Sequence, residues 1–283
     1  MTMPKKTLTT PLKIHGGKHY LATEIVALFP PRDTYRTFFE GFFGGGSVLL
    51  RHNPEGKSEI VCDLNKNLTT FWRVLQDESL FKVFHRRVVN TPFSEVEFKT
   101  AQDDLKAGIA DTLDRAWAFF VVARQSMSGR NDAFAPVSTS RLRRGMNEQV
   151  SAYYTAVDGL PQVAERMRRV LVLDGPFLKQ IKKYDKPGVL MYLDPPYLVT
   201  DTDGTKIRES ADVYDHEMTL EQHAELVETL AGLKSARVLL SGYKSKLYDK
   251  HLKKWNTKVF EIDNKASKKS TKDVKEEVVW LNY

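Results

Sequence analysis

Residues 189–198 read VLMYLDPPYL. The apolar run Val189–Asp194 leads straight into Pro195-Pro196-Tyr197. A near-continuous apolar run of this length suits a parallel strand buried on both faces. Consecutive prolines offer no N–H and cannot extend a ladder, so the chain must turn at the strand's carboxyl end. Open α/β sheets bind their ligands at that edge. The turn therefore presents the Asp194 carboxylate, a proline carbonyl and the Tyr197 ring together. Such a set suits a planar base with an exocyclic amine: two acceptors take the amine hydrogens while the ring stacks on the base. A rigid loop with a surface tyrosine is the plainer alternative, and the strand in front of the turn weighs against it.

Similar short runs recur at Tyr35–Gly41, Glu59–Asp63, Val170–Asp174, Arg237–Tyr243, Lys258–Asp263 and Glu277–Asn282. Helical patterns lie between several of them, at Leu64–Leu75 and Leu220–Leu233. This alternation predicts an open, doubly wound α/β sheet. Asn264–Glu276 is too polar for a helix with a buried face and reads as the basic loop of a closing hairpin, with Lys268 and Lys269 in it. From about Gln76 to Glu165 the pattern changes. Helical periodicity, notably Leu113–Arg124, gives way to SMSGRNDAFAPVSTSRLRRG, and Arg124, Arg130, Arg141, Arg143 and Arg144 gather there. The stretch is a mostly helical insertion, and a segment that long needs a small fold of its own.

Two glycine-rich stretches accompany the strands. Glu40-Gly-Phe-Phe-Gly-Gly-Gly-Ser47 follows the first run, and Asp63 closes the next. Glycines let the backbone approach a ligand, and a carboxylate closing the following strand suits ribose hydroxyls. The loop is neither a G-x-G-x-x-G fingerprint nor a P-loop. Strand, glycine loop, helix, strand and acid read as a nucleoside-cofactor site; a tight turn alone leaves Glu40 and Asp63 unexplained. His15-Gly-Gly-Lys18 precedes the helical pattern Leu21–Phe29 and could hold an anion or be an ordinary capped turn. His216 and His223 are read as surface or cap residues, and Cys62 as a packed strand residue.

Of 283 residues, 43 are Lys or Arg and 36 Asp or Glu, leaving +7 and favouring a polyanionic partner. The single cysteine excludes an internal disulfide and a multi-cysteine zinc site. No apolar run is long enough for a membrane span, and the start lacks a signal-peptide core, so a soluble intracellular protein is expected.

Together these stretches resemble the Dam-type, D12 class DNA adenine-N6 methyltransferases, including the forms common in phages and prophages. The resemblance covers nearly the whole chain in the family's motif order. PLKIHGGK (11–18), FFEGFFGGGSVLL (38–50) and VCDLN (61–65) resemble the cofactor motifs, and YLDPPYL (192–198) the amination motif. YDHEMTLEQHAE (214–225), LLSGY (239–243) and EEVVWLN (276–282) resemble the carboxyl-terminal motifs. The resemblance implies a Rossmann-like S-adenosylmethionine-dependent methyltransferase sheet with a carboxyl-terminal antiparallel hairpin, formed by residues 1–75 and 166–283. It implies a target-recognition domain inserted at 76–165. By position, His15, Gly17, Lys18, Glu40, Phe42, Gly44, Gly46, Ser47, Asp63, Asp174 and Asp194 would bind S-adenosylmethionine, with S-adenosylhomocysteine as product and no metal. Asp194, Pro195, Pro196 and Tyr197 would hold a flipped adenine. Duplex DNA would meet Arg124, Arg130, Asn131, Arg141, Arg143, Arg144, Lys268 and Lys269. The implied setting is the cytoplasm of a bacterium or phage-infected cell, without membrane or obligate protein partner; restriction-modification is one such role.

The chain departs from the family pattern at Leu173-Asp-Gly-Pro-Phe177, where Pro176 takes the place of an acid and Asp174 is the candidate substitute. Arg130–Pro136 is a compressed echo of the recognition hairpin of the GATC methylases, which leaves the target sequence open. Cytosine N4 in DNA, adenine in structured RNA, and a catalytically silent DNA-binding relative are the alternative readings. Cytosine-N4 enzymes more often carry Ser where Asp194 stands, and a silent relative has no use for an amine-binding carboxylate.

Overall fold

The computed structural model describes residues 8–208, 216–263 and 274–283. Strands β1 (Thr37–Gly41), β2 (Ser58–Asp63), β5 (Val170–Asp174), β6 (Val189–Leu193), β7 (Arg237–Gly242), β8 (Asn256–Asp263) and β9 (Val274–Leu281) make a seven-stranded sheet in the order β5-β2-β1-β6-β7-β9-β8. β1, β6 and β7 are parallel, and β9 runs antiparallel to β7 and to β8. A second, two-stranded sheet pairs β3 (Leu142–Arg143) with β4 (Met146–Asn147). The mixed α/β architecture with a mostly parallel sheet is the one expected.

The reversal in strand order matters most for function. β1 has β2 on one side and β6 on the other, so the chain changes direction between β1 and β6. At such a switch point the connections leave in opposite directions and open a crevice at the carboxyl ends of the strands. Val189–Leu193 is buried along its whole length, as a strand covered on both faces should be.

The chain divides into two compact units. One comprises residues up to Phe29, Phe43–Glu59 and Asn65–Asp174; the other Pro30–Phe42, Ile60–Leu64 and Gly175–Tyr283. The first is largely helical: α1 (Ala22–Ala27), α2 (Ser47–Arg51), α3 (Lys66–Gln76), α4 (Glu78–Val89), α5 (Glu95–Ala107), α6 (Thr112–Gln125) and α7 (Glu148–Met167). Its aromatic core sets Phe71 parallel to Phe120 at 5.9 Å and edge-on to Phe84 at 5.8 Å. Asn65, Asp77, Ser94 and Asp111 cap α3 to α6 by accepting first-turn amides. A buried ion cluster centres on Glu59: Arg166 of α7 grips its carboxylate through two 2.6 Å bonds, and His52 Nδ1 lies 2.8 Å from the same group.

The second unit adds α8 (Phe177–Lys183), α9 (Leu220–Ala231) and α10 (Lys246–His251). A Thr219–Gln222 capping box starts α9. Among the described residues no helix is long and apolar enough to cross a membrane.

Several expected boundaries move. The first strand starts at Thr37 rather than Tyr35, and α1 ends at Ala27 because Pro30 and Pro31 follow. β8 begins at Asn256 and β9 at Val274, with Asp263 paired to Val274. Cross-strand pairing thus carries β9 through residues whose polarity reads as loop. Lys268, Lys269 and the rest of 264–273 lie outside the described residues, as does Tyr214. His223, expected at the surface, is wholly buried on the inner face of α9, with Nδ1 2.9 Å from the Tyr248 hydroxyl. Cys62 is buried in β2, as expected.

Candidate active site

The second unit holds the Asp194–Tyr197 turn. β1 and β6 pair in register, Glu40 with Tyr192 and Gly41 with Leu193. Asp194 is therefore the first residue past the paired end of β6, and Glu40 the penultimate residue of β1. Side chains fill the space over Gly41: a Cβ there would stand 2.7 Å from Leu193 Cδ2. Glu40 is 3% exposed, while Asp194 and Asp63 are half-buried. Tyr192 sits within 3.1 Å of Ser241 Oγ, fixing β6 to β7 just before the turn.

The turn itself is braced. Pro195 and Tyr197 are buried. The Tyr197 hydroxyl donates to Glu277 Oε1 at 2.7 Å, and its ring meets Tyr243 edge-on at 4.6 Å. Burial, then the negative charges of Asp194 and Glu277, push the Tyr197 phenol well above its ordinary range. Further along, the Asp201 carboxylate accepts the amides of Lys246 at 2.6 Å and Leu247 at 3.3 Å, anchoring the segment to the start of α10. Phe42, in a left-handed conformation at φ 59, packs on Phe177 at 4.5 Å. The second unit thus brings together Glu40, Phe42, Asp194, Pro195, Pro196 and Tyr197 at the carboxyl ends of β1 and β6, with Asp63 at the end of β2.

The first unit holds the remaining glycine-motif residues. Gly44 and Gly46 have φ of 50 and 68, conformations that suit glycine. The Trp72 indole donates to the Gly44 carbonyl at 3.1 Å, and the Phe43 ring packs on it. Ser47 opens α2. In the His15–Lys18 turn the Gly17 amide donates to the Ile14 carbonyl, and the buried Lys18 ammonium to the Gly16 carbonyl at 2.8 Å. The His15 amide donates to the Gly129 carbonyl. Asp174 is exposed.

The basic insertion residues do not all face outward. Arg124, expected among the DNA contacts, is half-buried near the end of α6, just past its buried stretch Ala116–Ala123. Its guanidinium turns onto the Ala152 carbonyl at 2.7 Å, and burial lowers its pKa to about 10. Arg130, Arg141, Arg143 and Arg144 are exposed. The last three flank or form the β3–β4 hairpin, where Arg144 and Gly145 make the turn at φ 55 and 73. Asn131 is left-handed at φ 63, its carbonyl held by Gln102 at 2.7 Å.

Sequence reasoning missed Glu277 and Trp72. Glu277 carried a weak signal, the second of two carboxylates, Glu276 and Glu277, at the head of the apolar run Val278–Leu281. Trp72 carried none, because an apolar residue on an amphipathic helix looks like any other core position. Among the described residues no group of three or more His, Cys, Asp or Glu could hold a metal ion.

A family model described as D12 class N6 adenine-specific DNA methyltransferase matches residues 15–270. No curated protein matches the chain.

Proposed function

The chain belongs to the D12 class N6 adenine-specific DNA methyltransferases, enzymes acting on adenine in DNA, and from that membership we propose that Asp194–Tyr197 is its amination site, with S-adenosylmethionine as donor and a flipped adenine as acceptor. The observation that carries the reading is the position of this turn. It leaves β6 directly beside the end of β1, at the sheet's switch point, next to the buried Glu40 carboxylate.

The adenine amine is a poor nucleophile because its lone pair is delocalised into the ring. The Asp194 carboxylate and Pro195 carbonyl accept its two hydrogens and favour a tetrahedral nitrogen whose lone pair points outward. The rest of the acceleration comes from orientation. Extruding the base from the duplex costs about a few kcal/mol, offset by stacking on Tyr197 and edge hydrogen bonds.

The donor set of the second unit fits the cofactor's chemistry. Glu40 and Asp63 supply carboxylates for an amino group and for ribose hydroxyls, and the Phe42–Phe177 pair an apolar wall. When bound, S-adenosylmethionine supplies an electrophilic sulfonium methyl. His15, Gly17, Lys18, Gly44, Gly46 and Ser47 belong to this reading through their motifs, with Asp174 as the substitute for the acid displaced by Pro176.

On the same reading the sheet is a Rossmann-like catalytic domain, residues 1–75 and 166–283. Residues 76–165 are the inserted recognition domain, meeting duplex DNA through Arg130, Asn131, Arg141, Arg143 and Arg144. Cytoplasmic action on cellular or phage DNA follows from that substrate.

The test is mass spectrometry of nucleosides from duplex DNA incubated with the protein and S-adenosylmethionine, with Asp194→Ala as control. N6-methyladenine that disappears in the variant is expected. Methylated cytosine, or no product on DNA of varied sequence, would overturn the reading.

A further inference from the structure

We propose that Glu277 is a positioning residue for Tyr197, a buried carboxylate that holds the ring in one orientation for the base stacked on it. The inference rests on the amination-site reading above. It concerns a residue outside the Asp194–Tyr197 turn and outside the matched span 15–270.

Topology explains how Glu277 gets there. The parallel strands β6 and β7 both end at the ligand-binding edge. β9 is antiparallel to β7, with Gly242 opposite Val278, so its beginning lies at that edge. Glu277, one residue before Val278, stands level with the end of β7.

Burial shows that the contact is built. Glu277 is 1% exposed and Tyr197 5% exposed. A carboxylate taken from water at that depth is costly unless hydrogen-bonded. The Tyr197 phenol meets it at 2.7 Å, the length of a strong charge-assisted bond. A phenol is protonated at neutral pH in any case, and burial with the neighbouring negative charge pushes its pKa further up, so it is a donor to Glu277.

Tyr243 completes the restraint, its ring tilted 68° against the edge of Tyr197. A tyrosine bound at its hydroxyl and blocked at one edge has neither its ring plane nor its χ angles free. The entropy of ordering it is then lost on folding rather than on binding the base. Since catalysis here is mainly orientation, a small drift of the ring should cost rate more than affinity.

The experiment is a double-variant cycle on the full chain. Single-turnover methylation of unmethylated genomic duplex DNA at saturating S-adenosylmethionine is measured for wild type, Tyr197→Phe, Glu277→Ala and the double variant. Cofactor affinity and thermal melting are measured alongside. Each single variant should lose about 10- to 100-fold in rate, as misplacement of an aligned group does. Cofactor affinity should hold within about threefold, as expected when only an orienting contact is lost. The double variant should lose no more than the worse single one, because both break the same contact. Glu277→Gln, whose Oε1 still accepts the phenol, should recover most of the rate. If Glu277→Ala does not fold, Glu277→Asp replaces it, since it keeps the charge but falls a methylene short of the phenol.

Losses that multiply in the double variant would overturn the inference. So would a variant at 277 that lowers only the melting temperature and leaves the rate of folded protein intact. A wild type that makes no N6-methyladenine would overturn the amination-site reading itself, an outcome distinct from either of these.

Discussion

Alanine at Gly46 isolates the packing that shapes the glycine loop. Gly46 has φ +68, and an L-residue held in that left-handed region costs about 1–2 kcal/mol. Its new Cβ would also lie 2.7 Å from Cζ and 2.9 Å from Cε2 of Phe43. The Phe43 ring has little room to yield. It is 3% exposed and packs on Trp72 at 5.0 Å, and Trp72 is itself buried and bonded to the Gly44 carbonyl. Overpacking of this kind adds about 1–3 kcal/mol, for a combined loss of roughly 2–5 kcal/mol. Gly145→Ala is the matched control: its φ is +73, but nothing lies within 4 Å of the place its new methyl would take. It should show the backbone cost alone, about 1–2 kcal/mol. Equilibrium urea unfolding followed by circular dichroism measures both. If Gly46→Ala proved no more destabilising than Gly145→Ala, the argument that Trp72 and Phe43 hold the loop rigid would fail.

Four further outcomes are expected. Arg166→Met should destabilise by about 3–5 kcal/mol, because it leaves the fully buried Glu59 carboxylate without its bidentate partner; a loss within about 1 kcal/mol, on the scale of an exposed pair, would contradict this. His223 is held at about 4, below its ordinary 6.5, by burial and then by the charge of Arg208. The unfolded chain therefore takes up this proton first. The neutral-histidine contribution is complete above 6.5 and falls by roughly 3 kcal/mol as pH drops towards 4, a slope that urea melts should detect and His223→Leu should abolish. Glu59 acts lower in the acid range. Burial alone would raise its pKa, but hydrogen bonds from His52 and Arg166, then their charges, hold it below 4.5, so its contribution is lost only as pH falls below that value. Arg143→Ala should weaken DNA binding and, if the side chain meets a phosphate, reduce the salt slope by about 1; unchanged affinity and slope would remove the hairpin from the interface.

The exposed arginines show why charge alone says little about an interface. Arg141 lies 2.9 Å from Glu148, and Arg144 3.4 Å from Asp158. Exposed pairs of this kind contribute about 0–1 kcal/mol and can be exchanged for phosphates. Arg124, by contrast, is committed to a backbone carbonyl inside the helical unit and is not available in that way.

Local chemistry was legible where it is encoded locally. The apolar runs, their proline and glycine punctuation and the order of motifs identified the main-sheet strands and the turn after β6 from residue types alone. Those features follow from what proline, glycine and β-branched side chains permit the backbone to do, whatever surrounds them. Contacts between residues far apart in sequence were not legible. The polar head of β9 became strand because β8 supplies its hydrogen bonds. His223 is buried and Arg124 half-buried because neighbouring elements cover the faces on which they lie, and periodicity in a single helix does not reveal what covers it. Glu277 meets Tyr197, 80 positions away, because the last strand enters the sheet antiparallel. Residue order alone specifies which groups the turn after β6 carries. Which buried side chains hold those groups still depends on strand order and direction, and these arise from the packing of the whole sheet rather than from any one segment's composition.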